Sequence, residues 1–533
     1  MTKSRDAVGA AEPPRSATPL GTFCLVLHTH LPWVARHGAW PVGEEWLHQA
    51  WAMSYQPLRA MLEDLAREGR RDVLTLGLTP VVSAMLDDPY CLRQQHTWLG
   101  DWQARALGMS STADPERRAE AARQYADATA RLGDFEDHWS RGGSAAWRPL
   151  VDAGVIEVLG GPLTHSFTPI LPTSLAGATL RAGLDDAALR RGTRPRGIWA
   201  PECAYAPGLE KAYAAEGVDH VVVDGPTLLS VGASPGRAWR LGDSEVVVVG
   251  RDLPVSYRVW SPRRGYPGGA WYRDFHAFDH EWGFRSRRVT GVRVEPGDKR
   301  PYEPDRAARA IADDVDDFVR VVVQRLREVR EESDGRAGLV VAAYDTELFG
   351  HWWFEGPQWL GQVLRALPEA GVRVATLGTA TSDGTLVDST LPVHPQASSW
   401  GSGKDWSVWT GPAVADLAER QRSLTAATTL VLDQTHPRTA RSAPHDQLIR
   451  ELLLALSSDW AFMVSKDTAA QYARERFDGH ARWVEALSKA LREGHLDRAA
   501  ALAARAREAD GPFGHLDARR FLSAGGSAAP ILP

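Results

Sequence analysis

The run GLVVAAYD, residues 338–345, decides the fold. Its small and apolar residues follow one another without alternation and stop on an aspartate. A strand with one face in water alternates; an unbroken apolar strand is buried on both faces, as in a parallel sheet. Similar runs occur at FCLVLHTH (23–30), DVLTLGL (72–78), VIEVLGG (155–161), RGIWAPE (196–202), VDHVVVDG (218–225), SEVVVVG (244–250) and VRVATLG (372–378). Helical segments separate several of them. The clearest is 304–333, which opens on Pro304 and Asp305 and carries apolar residues at helical spacing. Strand–helix alternation on this scale predicts an α/β fold, a β/α barrel.

Two regions depart from the alternation. Residues 85–150 hold no good strand, while 113–139 is strongly amphipathic, which predicts a helical insertion. After about residue 396 the strands stop, and 411–509 reads as several helices. The organisation expected is an N-terminal arm (1–20), a barrel (21–395) with its insertion, and an all-α C-terminal domain (396–533) reaching the active-site cleft. The arm, rich in Ala, Pro and Ser, reads as disordered rather than as a signal peptide, and the tail GGSAAPILP as loosely ordered.

Composition is that of an ordinary globular protein: 533 residues, 44% hydrophobic and 24% charged. A formal charge of -6 without a basic stripe argues against nucleic acid and offers no attraction to an anionic membrane. No apolar run approaches membrane-spanning length. Three scattered cysteines (Cys24, Cys91, Cys203) suit reduced thiols in the cytoplasm. Tryptophan is the outlier, with 21 copies, many in polar, Gly/Pro-rich stretches where a flat apolar face for sugar rings is one explanation.

In a β/α barrel the C-terminal strand ends form the active face. Here they carry His28 and His30, His165, Glu202, Asp224 and Asp345. Each alone reads as a capping or loop residue; together they form a constellation. Glu202, in GIWAPECAY, and Asp345, in AAYDTELFGHWWFEGP, each follow a buried strand, where an unpaired carboxylate is costly. Two such carboxyls suit glycosidic chemistry, one attacking the anomeric carbon and one protonating the leaving oxygen. Burial beside Trp352, Trp353 and the second carboxyl raises Asp345 in the direction an acid requires. Glu347 and Glu355 are rivals that read as solvated or structural. His28 and His30 are expected to project to opposite faces, which disfavours a shared metal; with His165 they read as donors to sugar hydroxyls or as support for Glu202. The loops 256–275 and 398–409, rich in Gly and Trp, are as consistent with packing as with glycan stacking. Asp459, inside an apolar helical stretch, is expected to cap, pair or enter the cleft.

These stretches together resemble glycoside hydrolase family 57 over most of the chain. HTHLPW and GGPLTHSFTP look like its first two signatures, GIWAPECAY its nucleophile signature and YDTELFGHWWFEGP its acid/base signature. SSWG, KDW and SSDW resemble its branching-enzyme subgroup. The resemblance implies an incomplete (β/α)7 barrel, no cofactor, and a retaining mechanism on α-1,4-glucan. Glu202 is then nucleophile and Asp345 general acid/base. Trp260, Trp353, Trp400 and Trp409 become sugar-contacting candidates and Asp459 a cleft residue. The likeness is to members linked to methylated-glucan or glycogen synthesis. One departure stands out: the family's mobile loop with a tyrosine at its tip corresponds here to GPTLLSVGASPGR (225–237), short and without tyrosine, with Tyr266 or Tyr272 as substitutes. The activity expected is α-1,4 cleavage with transfer to a 6-hydroxyl. The alternatives are hydrolysis at the same site, a metal-dependent polysaccharide deacetylase using His28, His30 and an Asp, and a non-catalytic glycan binder.

Overall fold

The computed structural model describes residues 19–112, 114–261, 265–291, 293–435 and 440–521. The arm up to residue 18 and the tail beyond residue 521 lie outside the described residues. The first strand, β1 (Gly21–Thr29), is buried along its whole length. Its side chains divide by parity: Phe23, Leu25 and Leu27 face a core shared with the outer helices, while Cys24 and Val26 join Trp199, Val222, Val341 and Ala343 inside. Both faces are therefore apolar, which is why the sequence does not alternate.

Strands β2 (Leu74–Leu78), β3 (Ile156–Leu159), β4 (Gly197–Ile198), β5 (His220–Asp224), β6 (Ala238–Leu241), β7 (Val247–Arg251), β8 (Gly338–Asp345), β9 (Arg373–Val374) and β10 (Val387–Val393) complete two sheets. One runs β3-β2-β1-β8, with β9 on the start of β1; the other runs β10-β6-β7-β5-β4. A parallel bridge between Gly160 and Ile198 joins them at one seam. At the other, the Asp252 N–H donates to the Val341 carbonyl at 2.8 Å. Seven parallel strands thus ring the centre: β8, β1, β2, β3, β4, β5 and β7. This is the incomplete (β/α)7 barrel. Register places His28 of β1 beside Asp345 of β8, and Asp224 of β5 beside Arg251 of β7, so the reactive strand ends share one rim.

Four helices, Pro80–Leu86, Pro89–Ser110, Pro115–Asp134 and Gly143–Asp152, form the insertion between β2 and β3. The long helix Pro304–Glu332 covers the outside of β1 and β8 with Ile311, Val315, Phe318, Val322 and Leu326. Beyond residue 396 the elements are helical, and Ser458–Lys466 brings its first turn to the strand-end rim. Among the described residues no helix is long and apolar enough to cross a membrane.

Three sequence expectations change. The strand expected at 196–202 shrinks to Gly197–Ile198, because the chain turns sharply at Glu202. The strand expected at 372–378 shrinks to Arg373–Val374, and Thr376 caps a helix, Leu377–Ser382, by accepting from the Thr379 N–H. β6 and β10 were not expected; they pair with each other beside β7, outside the ring of seven.

Candidate active site

Glu202 and its neighbour Cys203 both occupy the left-handed backbone region, with φ of 62° and 49°. Non-glycine residues hold such angles only where surrounding contacts over-determine them. Here the Trp400 N–H donates to the Glu202 carbonyl at 2.9 Å, and Tyr205 and Ser398 form an antiparallel bridge. The kink sends the carboxyl into a cleft of about 420 Å³. His28, His30, His165, Asp345, Trp260, Trp400 and Asp459 line the same cleft, so most of the expected residues meet there.

Side-chain hydrogen bonds fix the direction of one chain of donors. Trp400 Nε1, which can only donate, gives to Glu202 Oε2 at 2.8 Å, and Ser458 Oγ gives to Oε1 at 2.7 Å. Because the serine proton is committed, His165 Nδ1 (2.9 Å) donates to Ser458 Oγ. His165 Nε2 then accepts from His28 Nε2 at 3.0 Å. This assigns both tautomers, and both rings are neutral: burial holds His28 and His165 well below the usual imidazole range. His28 also stacks on Trp199, with ring centres 4.6 Å apart. His30 behaves oppositely. Burial lowers it, but Asp459 at 2.9 Å outweighs that and holds it above its ordinary value. Burial opposes the Asp459 charge in turn, yet His30, with Ser457, pulls its carboxyl down to about 2.

Burial pushes the Glu202 carboxyl up to about 7 against its two donors, with Asp459 and Asp345 adding to the rise. Burial likewise raises Asp345 to about 6, against His30 and Arg251. Both carboxyls are thus held above the ordinary carboxylate range, Glu202 further than Asp345.

Several placements differ from expectation. His28 and His30 are two residues apart and so share a face; both line the cleft, with rings 5.6 Å apart and inclined by 21°, rather than projecting oppositely. Trp353 and Trp409 are not brought to the cleft. Trp353 is buried between Tyr272 and Trp359, and Trp409 stacks on Phe167 at 4.7 Å beneath the loop that carries Trp400. Trp352 lines the cleft instead, 49% exposed. Glu347 is buried rather than solvated: it is a cleft residue whose carboxyl burial raises to about 8, with the Tyr55 hydroxyl donating to it. Glu355 is buried and accepts from the Arg273 N–H at 3.1 Å. Tyr266 and Tyr272, the substitutes considered for a lid tyrosine, are buried and donate to Asp317 and Asp314. Tyr257 lines the cleft, one turn before Trp260, which is 48% exposed.

Sequence reasoning missed Ser458, Arg251 and Lys404. Arg251 ends β7, and its Nε donates to the fully buried Asp224 at 2.9 Å. Lys404 Nζ pairs with the other oxygen of Asp224 at 2.6 Å, and both cations line the cleft. Asp224 thus serves the site at one remove. The adjacent reading of SSDW and the arginine closing VVVGR were the available signals. His30, His165 and Asp459 place ligand atoms within 4.8 Å of one another, enough to hold a metal ion. Those atoms are already committed, His30 to Asp459 and His165 to His28 and Ser458.

The family model for glycosyl hydrolase family 57 matches residues 24–382, and that for the C-terminal part of 1,4-alpha-glucan branching enzymes matches 420–521. The chain belongs to glycosyl hydrolase family 57. It is 52% identical over 528 residues to a probable 1,4-alpha-glucan branching enzyme of Mycobacterium tuberculosis, covering 95% of this chain and 99% of that one. A 1,4-alpha-glucan branching enzyme of Thermococcus kodakarensis is 31% identical over 516 residues, 88% of this chain and 74% of its own. The crystal structure of a GH57-type branching enzyme from Pyrococcus horikoshii superposes with a TM-score of 0.88 at 29% identity, covering 96% and 98% of the two chains.

Proposed function

We propose that this protein is a 1,4-alpha-glucan branching enzyme working by retaining double displacement. The observation that carries the reading is the pair of strand-end carboxyls, buried Glu202 and partly buried Asp345, sharing one cleft. Glu202 attacks the anomeric carbon while Asp345 gives its proton to the departing 4-oxygen. In the second half, Asp345 takes the proton of an incoming 6-hydroxyl as that oxygen displaces Glu202. Ser458 and Trp400 orient the nucleophile. His30 and Asp459 supply polar contacts, and Trp260, Trp352 and Trp400 offer faces to the glucan. Transfer in place of hydrolysis requires water to be kept from the glycosyl-enzyme. Tyr257 and Trp260 are the groups suited to cover it, since 225–237 has no tyrosine.

The substrate is an α-1,4-glucan, a precursor of methylated glucan included. Three free, buried cysteines suit a cytoplasmic enzyme. The test is proton NMR of amylose incubated with the enzyme, Glu202→Gln and Asp345→Asn. New α-1,6 anomeric signal without matching reducing ends, absent from both variants, supports branching. Reducing ends without α-1,6 signal make the same pair a hydrolase, and full activity of Glu202→Gln overturns the assignment.

A further inference from the structure

Away from the cleft, a groove of about 760 Å³ crosses the helical insertion. Its aromatic lining is unusual for a soluble surface. Trp40 is 65% exposed and lies nearly parallel to Phe278, with ring centres 6.2 Å apart. Trp98 and Trp282 are half-buried on the helix Pro89–Ser110 side. The Trp282 ring sits over Gly108, where a Cβ would come within 2.5 Å, so this helix is cut away to seat the indole.

The polar lining carries charges of both signs. Glu45, Asp101 and Glu281 are set against Arg105 and Arg285. Glu45 accepts from Trp98 Nε1 at 2.9 Å and from Gln49 at 2.7 Å. Among the described residues, Arg105 and Arg285 each hydrogen-bond a backbone carbonyl, of Trp282 and Phe275, and neither has an ion-pair partner. Their guanidinium groups lie over aromatic rings, Arg105 over Phe284 and Arg285 over Phe275, leaving N–H donors for hydroxyl groups. Flat apolar faces bordered by donors and acceptors of both signs match a neutral polyhydroxylated chain.

A chain of aromatic contacts leads from the groove toward the active centre. A small pocket of about 50 Å³ shares Trp352 with the catalytic cleft, and Met53, Trp102, Phe284 and Arg285 with the groove. Trp352 packs on Phe275 at 4.6 Å, Arg285 lies over Phe275 at 4.2 Å and over Phe278 at 5.8 Å, and Phe278 meets Trp40. We propose that this track from Trp352 to Trp40 is a second α-glucan-binding site, which holds a stretch of the same chain remote from the bond being cleaved. The inference rests on the α-glucan reading of the active site. It gives that site a means of preferring long chains, because remote binding energy then contributes to positioning.

The test is electrophoretic retardation of the full chain in gels with and without amylose, in the Glu202→Gln background so that the glucan is not consumed. Trp40→Ala and Phe278→Ala, singly and together, are compared with that parent, and melting temperature reports retention of the fold. Loss of a stacking face is expected to weaken retardation roughly three- to tenfold. The ratio of kcat/KM on long amylose to that on a seven-glucose chain is expected to fall with it in the active background. Retardation by amylose equal to the parent's in the double variant overturns the groove. So does an unretarded parent whose active form still branches amylose. A parent that is not retarded, and whose active form leaves amylose unchanged, overturns the α-glucan reading itself.

Discussion

Glu202, as the proposed nucleophile, meets opposed demands: attack calls for the ionised form, and burial makes ionisation costly. Its carboxyl stands at about 7 rather than 4.5, so its contribution to stability is fully present below pH 4.5 and is lost as pH rises through 7. Glu202→Gln removes that dependence. The melting temperature of the native protein minus that of the variant is expected to fall by about 2 °C or more between pH 5 and pH 8. An equal difference at both pH values, read by differential scanning fluorimetry, would remove the argument. Ser458 has a separate role, because it touches Glu202 and His165 but does not itself line the cleft. Hydrogen bonds to charged groups are worth about 1.5–3 kcal/mol, so Ser458→Ala should lower kcat roughly 10- to 100-fold. KM should move little. Losing a donor raises the Glu202 carboxyl further, so the acidic limb of the kcat/KM profile should move to higher pH. A fall in kcat with an unmoved acidic limb would point to structural damage. The two carboxyls were legible in the sequence because each closes a buried run; Ser458 was not, because its partner lies 256 residues away.

At the level of elements, the short 225–237 connection leaves covering the site to the helix Leu253–Val259 and the residue that follows it. Tyr257 on that helix and Trp260 after it both reach the cleft. Tyr257→Ala should admit water to the glycosyl-enzyme and raise reducing-end release relative to α-1,6 formation at least about threefold. Product NMR and a reducing-end assay read that ratio, and an unchanged ratio would mean that this helix does not shield the intermediate. The loop 398–406 is held by backbone bonds to Tyr205 and Glu202 and, besides these, by the Lys404 ion pair to the buried Asp224. Truncating one member of a buried ion pair costs about 3–5 kcal/mol when the other is left unpaired. Arg251 still holds Asp224 and the backbone bonds remain, so Lys404→Met should stay folded but loosen the loop, with kcat falling and amylose KM rising. Unaltered kinetics would separate the anchor from the site. Strands were readable where apolar runs are long. β6 and β10 were not, because Ala238–Leu241 is short and Val387–Val393 mixes polar residues into the run. Trp353 and Trp409 show the limit for aromatics: a tryptophan beside Gly and Pro resembles a stacking face whether it ends in a cleft or under a loop.

For the whole molecule, the sequence suggests a boundary near residue 396 where strands give way to helices, and the packing crosses it. One core joins Leu27 and Leu78 to Ile449, Leu453, Phe513 and Leu516; another joins Val221, Val223 and Val248 to Leu448, Leu452, Trp460 and Phe477. Polar ties cross as well. His37 Nε2 meets Asp510 at 2.7 Å, Thr164 donates to the Leu453 carbonyl at 2.6 Å, and Ser458 N–H donates to the His165 carbonyl at 3.0 Å. Composition records a change of secondary structure along the chain but not which apolar faces meet, so a shared core was invisible there. The site depends on this union, since Glu202 comes from the barrel and its donors Trp400 and Ser458 follow the boundary. Separating the halves would expose apolar surface worth about 25 cal/mol for each Å². The protein should therefore melt in one transition, with far-UV circular dichroism, tryptophan fluorescence and loss of branching activity sharing a midpoint. A chain ending at residue 395 should be insoluble or molten and bind no glucan. Two resolved transitions, with the early one leaving barrel ellipticity intact, would show instead that the helical region is an independent domain, and the donors to Glu202 would then be supplied by docking rather than by folding.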